Sequence, residues 1–313
     1  MTLRVGTDCS GIDAPIQALT QLGVDFEHVF SCEIDKWCIQ TLKANYNIPI
    51  IFNDMRSRDI EDVPEIDLYV SGFPCQPFSQ AGSRKGLSDT RGTIFHDCMN
   101  VIKTKQPKYF ILENVKNILT HNKGNTWNVI SNELNSLSDI GYKVTHKLLN
   151  TRDYGIPQNR ERVYIVGTKD GDFEWPDKIT ECRPIQDFVD HTNQTSTEWK
   201  RKTDINAVST EAVFIDVDFL HYTNYPNANK YSPCVVARGS SHWCVPYHRY
   251  ATPVELGMLQ GFPKDFKQVV SDSQMKKQYG NSMSVNVLKL IIEKLILGGE
   301  YLKKDKDASQ KQT

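Results

Sequence analysis

Ile66-Asp-Leu-Tyr-Val70 runs straight into Ser71-Gly-Phe-Pro-Cys-Gln-Pro-Phe-Ser79. The alternating apolar run predicts a strand, and the glycine and prolines after it predict a turn. Such a turn sets one thiol, Cys75, on a short rigid platform at the C-terminal end of a sheet strand, where open α/β folds carry their chemistry. A lone cysteine is most often a small core hydrophobe. Here Pro74 fixes the backbone ahead of the thiol, and polar Gln76 and Ser79 surround it, which favours a reactive role.

Two further segments repeat the design. Lys108-Tyr-Phe-Ile-Leu-Glu-Asn-Val115 reads as a strand ending in a carboxylate, Glu113, and an amide, Asn114. If its strand is a parallel neighbour of the first, Glu113 and Cys75 share one sheet edge. Asp153-Tyr-Gly-Ile-Pro-Gln-Asn-Arg-Glu-Arg-Val-Tyr-Ile-Val-Gly167 puts Arg160 and Arg162 just before another strand, on one side of it if the backbone is already extended. A nucleophile, an acid and a partner for an anion or carbonyl converge.

The rest of the chain sets bounds. With 313 residues it can bury one large core and a smaller one. Strand–helix alternation through the first half predicts an α/β fold with a doubly wound, mostly parallel sheet. No long apolar run, signal peptide or internal repeat is present, so the expectation is a cytoplasmic protein without membrane attachment. The 8 cysteines then read as reduced thiols. A net charge of −1 does not advertise a nucleic-acid binder, although phosphate binding needs only a locally basic face.

Six stretches in order give the chain a family likeness: Gly72-Phe-Pro-Cys-Gln76, Asp89-Thr-Arg-Gly-Thr-Ile-Phe95, Glu113-Asn-Val115, Gln158-Asn-Arg-Glu-Arg162, Thr252-Pro253 with Leu259-Gln-Gly-Phe-Pro263, and Gly280-Asn-Ser282. The chain resembles the DNA (cytosine-5) methyltransferases over nearly its whole length. Each motif alone is weak; their order is specific. The resemblance implies a methyltransferase fold that uses S-adenosylmethionine, with a smaller inserted target-recognition domain. It implies catalytic and cofactor residues in 1–170, recognition loops in 171–250, a return to the catalytic domain in 251–300 and a tail at 301–313.

The chemistry explains the residue types. Carbon 5 of cytosine is a poor nucleophile until something adds to carbon 6, and a thiolate, Cys75, suits that addition. A carboxylic acid at N3, Glu113, withdraws electrons from the ring, and burial should raise its pKa toward neutrality. The resemblance gives Arg162 the cytosine carbonyl and places Arg160 beside it in the catalytic set. A stacked base is out of reach of all of them, so the target must be flipped out of the duplex.

Leu3-Arg-Val-Gly-Thr-Asp-Cys-Ser-Gly-Ile-Asp13 reads as a first strand and a small-residue turn opening a helix, without the G-x-G-x-x-G of a dinucleotide site. The resemblance assigns the cofactor to Ser10, Gly11, Ile12, Glu33, Ile34, Asp54, Met55, Gly72, Pro74, Ile94, Asn281 and Ser282. Glu33 would take ribose hydroxyls, and Asn53-Asp54-Met55 would reach the adenine amino group. Cys9, where the family commonly has an aromatic residue, and Thr7, where it has an acid, depart from the pattern.

Duplex DNA is the partner this implies. Contacts are expected from Gln76, Ser79, Arg84, Lys85 and Arg91, with Gly82, Gly86 and Gly92 as hinges of a closing loop, and from Arg238 and Trp199-Lys-Arg-Lys202. The chain reads as a monomer that acts separately from any cognate restriction endonuclease. Cys234, His242, Cys244 and His248 lack the close cysteine pair of structural zinc, so no metal is expected. Three other readings stand beside this one. An RNA cytosine-5 methyltransferase of the same fold would commonly show Pro-Pro-Cys at the thiol. A catalytically dead base-flipping module would not need Cys75, Glu113 and Arg162 together. An NAD oxidoreductase lacks its glycine fingerprint here.

Overall fold

The computed structural model describes residues 2–74, 94–197, 211–218, 229–238 and 241–296. Among them the strands are β1 (Leu3–Asp8), β2 (Phe26–Cys32), β3 (Ile51–Phe52), β4 (Leu68–Ser71), β5 (Tyr109–Val115), β6 (Lys143–Asn150), β7 (Glu161–Thr168), β8 (Phe214–Asp216), β9 (His242–Cys244) and β10 (Arg249–Tyr250). The helices are α1 (Ala14–Leu22), α2 (Lys36–Asn45), α3 (Ile94–Lys105), α4 (Asn125–Asn135), α5 (Pro253–Leu259), α6 (Asp272–Asn281) and α7 (Val285–Ile296).

The main sheet has the order β3-β2-β1-β4-β5-β7-β6 among the described residues. Its first five strands are parallel, and β7 runs antiparallel to its neighbours β5 and β6. The expected doubly wound, mostly parallel sheet is present. Its order turns around at β1, which lies between β2 and β4, and this is where such sheets open a crevice beyond their strand ends.

Strands covered on both faces are apolar almost without interruption. In β5, Tyr109 and Ile111 join the core beneath α1 and α7, while Phe110 and Leu112 join the core that includes α3 and α4 residues. Glycine sits inside two strands because a ring lies over it. A Cβ on Gly6 would meet the Phe30 ring at 2.1 Å, and one on Gly167 would meet the Phe110 ring at 2.0 Å. Each phenylalanine is the cross-strand partner of its glycine.

Helices α2 and α5 start where their sequences say they should. Asp35 caps α2 by accepting from the Trp37 N–H at 2.9 Å, and Thr252 with Glu255 forms a capping box on α5. The strand–helix rhythm ends with β7. Beyond it, β8, β9 and β10 form a small antiparallel sheet in the order β10-β9-β8. Arg249 of β10 pairs with Glu255 at 2.7 Å, both side chains buried, and Glu255 also accepts from the Asp190 N–H at 2.8 Å. The small sheet is thereby tied to α5. Helix α7 packs along α1, which brings the end of the described chain back to its beginning. No described helix is long and apolar enough to cross a membrane.

Candidate active site

Strands β4 and β5 run parallel, with Ser71 level with Leu112. Their C-terminal ends therefore open on the same edge. Asn114 donates from Nδ2 to the Phe73 carbonyl at 2.7 Å, fastening the turn after β4 to the end of β5. Gly72 lets that turn lie close: a Cβ there would be 3.7 Å from the Glu113 carboxylate and 2.9 Å from the Met283 methyl. Pro74 is the last described residue of the turn and is exposed; Cys75 lies outside the described residues.

The arginines arrive by a different route. Because β7 is antiparallel to β5, its first residues lie beside the last residues of β5, with Arg162 opposite Val115 and Tyr164 opposite Glu113. Arg162 Nε sits 3.2 Å from the Glu113 carboxylate. Glu113 is 8 % exposed. Burial raises its pKa, against the opposing pull of the Arg162 and Arg160 guanidinium groups. A carboxyl group in this setting holds a proton more readily than a free one.

Arg160, expected among the reacting side chains, lines the same cavity as Glu113 and Arg162 and is heavily bonded to backbone. It is buried, and its guanidinium donates to the carbonyls of Val235 and Ser282, each at 2.6 Å, and of Gly280 at 3.3 Å. Those bonds commit it to joining three stretches of chain. Gln158 assists, donating to the Leu259 carbonyl at 2.7 Å and accepting from the Val235 N–H at 2.9 Å. Gly280 belongs to the same joint, since a Cβ there would fall 2.2 Å from the Val236 carbonyl carbon. Gly280→Ala is expected to cost about 1–3 kcal/mol of stability through overpacking. Urea unfolding measures it; an unmoved midpoint would mean that the 236–237 backbone yields freely.

These groups share one cavity of about 530 Å³ with the ends of β1, β2 and β3. Glu33, Ile34, Asp54, Met55, Gly72, Pro74, Ile94, Gly11 and Asn281 all line it, as do Glu113, Arg160 and Arg162. The Glu33 carboxylate accepts from the Gly11 N–H at 2.7 Å and from the Asp35 N–H at 2.8 Å, which aims it across the turn after β1. Ile34 is 69 % exposed, a large apolar surface at the cavity wall. Asp54 is engaged with Arg56 through two side-chain bonds at 3.0 and 2.7 Å. Cys9 lines the cavity as a thiol whose pKa burial pushes well up.

Three expected cofactor residues do not line the cavity. Ser10 donates to the Thr7 and Cys32 carbonyls, both at 3.1 Å, and so ties the turn to β2. Ile12 is a core residue, 1 % exposed. Ser282 is buried, and its carbonyl receives Arg160. Adjacent sequence positions point to opposite sides of a turn, so a motif matched as a block overstates its contacts.

Gln76, Ser79, Arg84, Lys85 and Arg91, the glycine hinges and Trp199-Lys-Arg-Lys202 lie outside the described residues; Arg238 is exposed at the surface. Of the cysteine–histidine set, His242 contacts the Pro233 carbonyl at 3.2 Å, and Cys234 lies beside Arg160 at 3.4 Å. Sequence reasoning missed this thiol as part of the arginine cluster, and it missed Arg58. Arg58 pairs with the buried Asp8 carboxylate through two bonds of 2.6 Å below the cofactor turn. No local pattern marks either residue, because each meets its partner across more than one strand connection.

A doubly wound sheet whose switch-point cavity holds a buried acid, an arginine and the turn leading to a thiol defines a methyltransferase of the α/β class. The family model for the C-5 cytosine-specific DNA methylases matches residues 8–297. The chain is 37% identical to the Type II methyltransferase M.NlaX of Neisseria lactamica over 87% of its own length and 89% of that protein's. It is 38% identical to the Type II methyltransferase M.HaeII of Haemophilus aegyptius, over 86% of each chain. In fold it is similar to the S. pombe Dnmt2 methyltransferase, with a TM-score of 0.69 and 20% identity over 95% of this chain and 99% of that one. The chain belongs to the C-5 cytosine-specific DNA methylase family and is a DNA cytosine-5 methyltransferase.

Proposed function

We propose that this enzyme methylates carbon 5 of a flipped cytosine in one short duplex sequence, through covalent addition of Cys75 to carbon 6. The observation that carries this reading is the Glu113–Arg162 pair, 3.2 Å apart, in the same cavity as Glu33 and the turn that leads to Cys75. Glu113 holds a proton at cytosine N3, and Arg162 steadies the charge that develops on the carbonyl. The Cys75 thiolate adds to carbon 6, and the electron pair of the 5,6 double bond moves to carbon 5. After methylation, loss of the carbon 5 proton expels Cys75 and restores the ring. Arg160 acts as a positioning residue, holding segments 234–235 and 280–282 against the site.

The cavity fits S-adenosylmethionine on its own features. Glu33 presents a half-buried carboxylate that suits ribose hydroxyls, Ile34 offers an exposed apolar platform for a flat ring, and Gly11 leaves backbone open to close approach. Asn53, Met55, Ile94 and Asn281 complete the walls. When bound, S-adenosylmethionine supplies the electrophilic methyl group. The names of its relatives favour a restriction–modification role, in which an endonuclease acting separately cuts the same unmodified sequence. Arg238 and the segments after Cys75 and around Trp199 would meet the duplex, and residues 171–250 would form the recognition region.

The test is transfer of labelled methyl from S-adenosylmethionine to duplex DNA and, separately, to transfer RNA, followed by base-resolution mapping. Label at one short DNA motif is the expected result. Label confined to RNA would replace the substrate, and label in neither would leave the dead-module reading.

A further inference from the structure

The turn after β1 is built against the preferences of its own residues. Cys9 and Asp13 have positive φ, at 50° and 54°, a region that residues with side chains seldom occupy, while Gly11 between them adopts its φ of 57° freely. Asp13 is also the N-cap residue of α1. An aspartate there usually caps the helix with its carboxylate, yet this one makes no side-chain cap bond. The carboxylate is turned inward instead and is 0 % exposed. It accepts from the Thr7 hydroxyl on β1 at 2.7 Å and from the Ser31 hydroxyl on β2 at 2.7 Å.

Around that tie the network closes. Thr7 Oγ1 is 2.8 Å from Ser10 Oγ, Ser31 Oγ is 2.8 Å from His28 Nε2, and the Tyr46 hydroxyl reaches the Ile12 and Asp13 carbonyls at 3.3 Å. Burying a carboxylate is costly, and this one does not line the cavity that holds Glu33 and Glu113. What it joins are two neighbouring strand ends whose turns carry Gly11 and Glu33, themselves bonded at 2.7 Å. A sheet with backbone ladders alone fixes strand spacing but leaves such turns free to shift.

We infer that Asp13 is a positioning residue for the cofactor, tying the ends of β1 and β2 so that Gly11 and Glu33 stand at the separation the adenosyl group requires. The inference rests on the reading of the cavity given above. It makes Thr7 and Ser31 the two arms of one device, with Asp13 as its centre.

The experiment is equilibrium binding of S-adenosylmethionine, read together with KM, kcat and thermal midpoint. Glycine accepts a φ of 54° freely, so Asp13→Gly keeps the path of the turn and deletes the tie. It is expected to raise the dissociation constant and KM for S-adenosylmethionine about tenfold, roughly 1.4 kcal/mol, with kcat falling far less. Asp13→Asn, which keeps the size and one acceptor, should recover most of the affinity. Thr7→Val and Ser31→Ala each remove one arm and carry the same test should Asp13→Gly fail to fold. A lower melting temperature with wild-type affinity, in Asp13→Gly or in both arm variants, overturns the inference and leaves a purely structural tie. Glu33→Gln separates the two levels. If it loses affinity and Asp13→Gly does not, the cofactor reading stands and the inference falls; if Glu33→Gln also binds normally, both fall.

Discussion

Cys75→Ser is expected to lower turnover by on the order of a thousandfold or more while duplex binding survives. Serine differs from cysteine by little volume, but its hydroxyl stays protonated at neutral pH and oxygen is the harder, poorer nucleophile for a conjugate addition. The structural setting makes the test clean. Asn114 holds the Phe73 carbonyl and Gly72 lies against Met283 and Glu113, and the substitution changes none of these residues. The other cysteines, Cys9, Cys32, Cys38, Cys98, Cys182, Cys234 and Cys244, are all free thiols. Burial pushes the Cys98 thiol up to about 12 and the Cys182 thiol to about 11, so neither supplies a thiolate near neutral pH. Single-turnover methyl transfer alongside a DNA-binding assay gives the answer. Sustained methylation by the serine variant would sink the covalent mechanism and turn attention to Cys234 beside the arginines.

Glu113→Gln is expected to keep DNA binding and to slow adduct formation by roughly a hundredfold to ten-thousandfold, the usual range for a lost general acid. The amide preserves shape and can donate a hydrogen bond, but it has no proton to share at N3. The sign of the pH effect follows from burial, which raises the carboxyl above its ordinary value. The wild-type rate should therefore fall as pH rises through that raised value, since the proton on Glu113 is lost there. The glutamine variant should lack this alkaline limb. Stability follows the same sign: the folded state holds this proton more tightly than the unfolded chain does. The group's contribution is complete below the ordinary carboxylate value and is lost as pH rises through the raised one. An unchanged adduct rate would remove Glu113 from the acid role.

Much of this was legible before any coordinates. The strand at 66–70, the strand at 108–115 and the helix from Val285 are short-range patterns of apolar residues, and a local pattern needs no knowledge of partners. Glu33, Met55, Gly72 and Glu113 stood at strand ends in recognisable motifs, and all line the cavity. Arg160 shows where that reasoning stops. It shares a motif with Arg162, two residues away, yet its donors serve the Val235, Gly280 and Ser282 carbonyls, more than seventy positions along the chain. Ser10 and Ile12 lie off the cavity lining for a related reason: a turn has an inner side, and spacing alone does not say which residues take it.

By itself, then, the sequence determined the elements, the parallel core of the sheet, the family and the residue types that chemistry requires, because those depend on neighbours a few positions apart. The tertiary structure decided the pairings. Arg162 meets Glu113 because β7 enters the sheet antiparallel to β5, which sets the beginning of one strand against the end of the other. Asp13 faces inward because Thr7 and Ser31 come from two different strands to meet it. Hydrogen bonds of this kind are made across register and burial, and both arise only when strands distant in sequence are laid side by side.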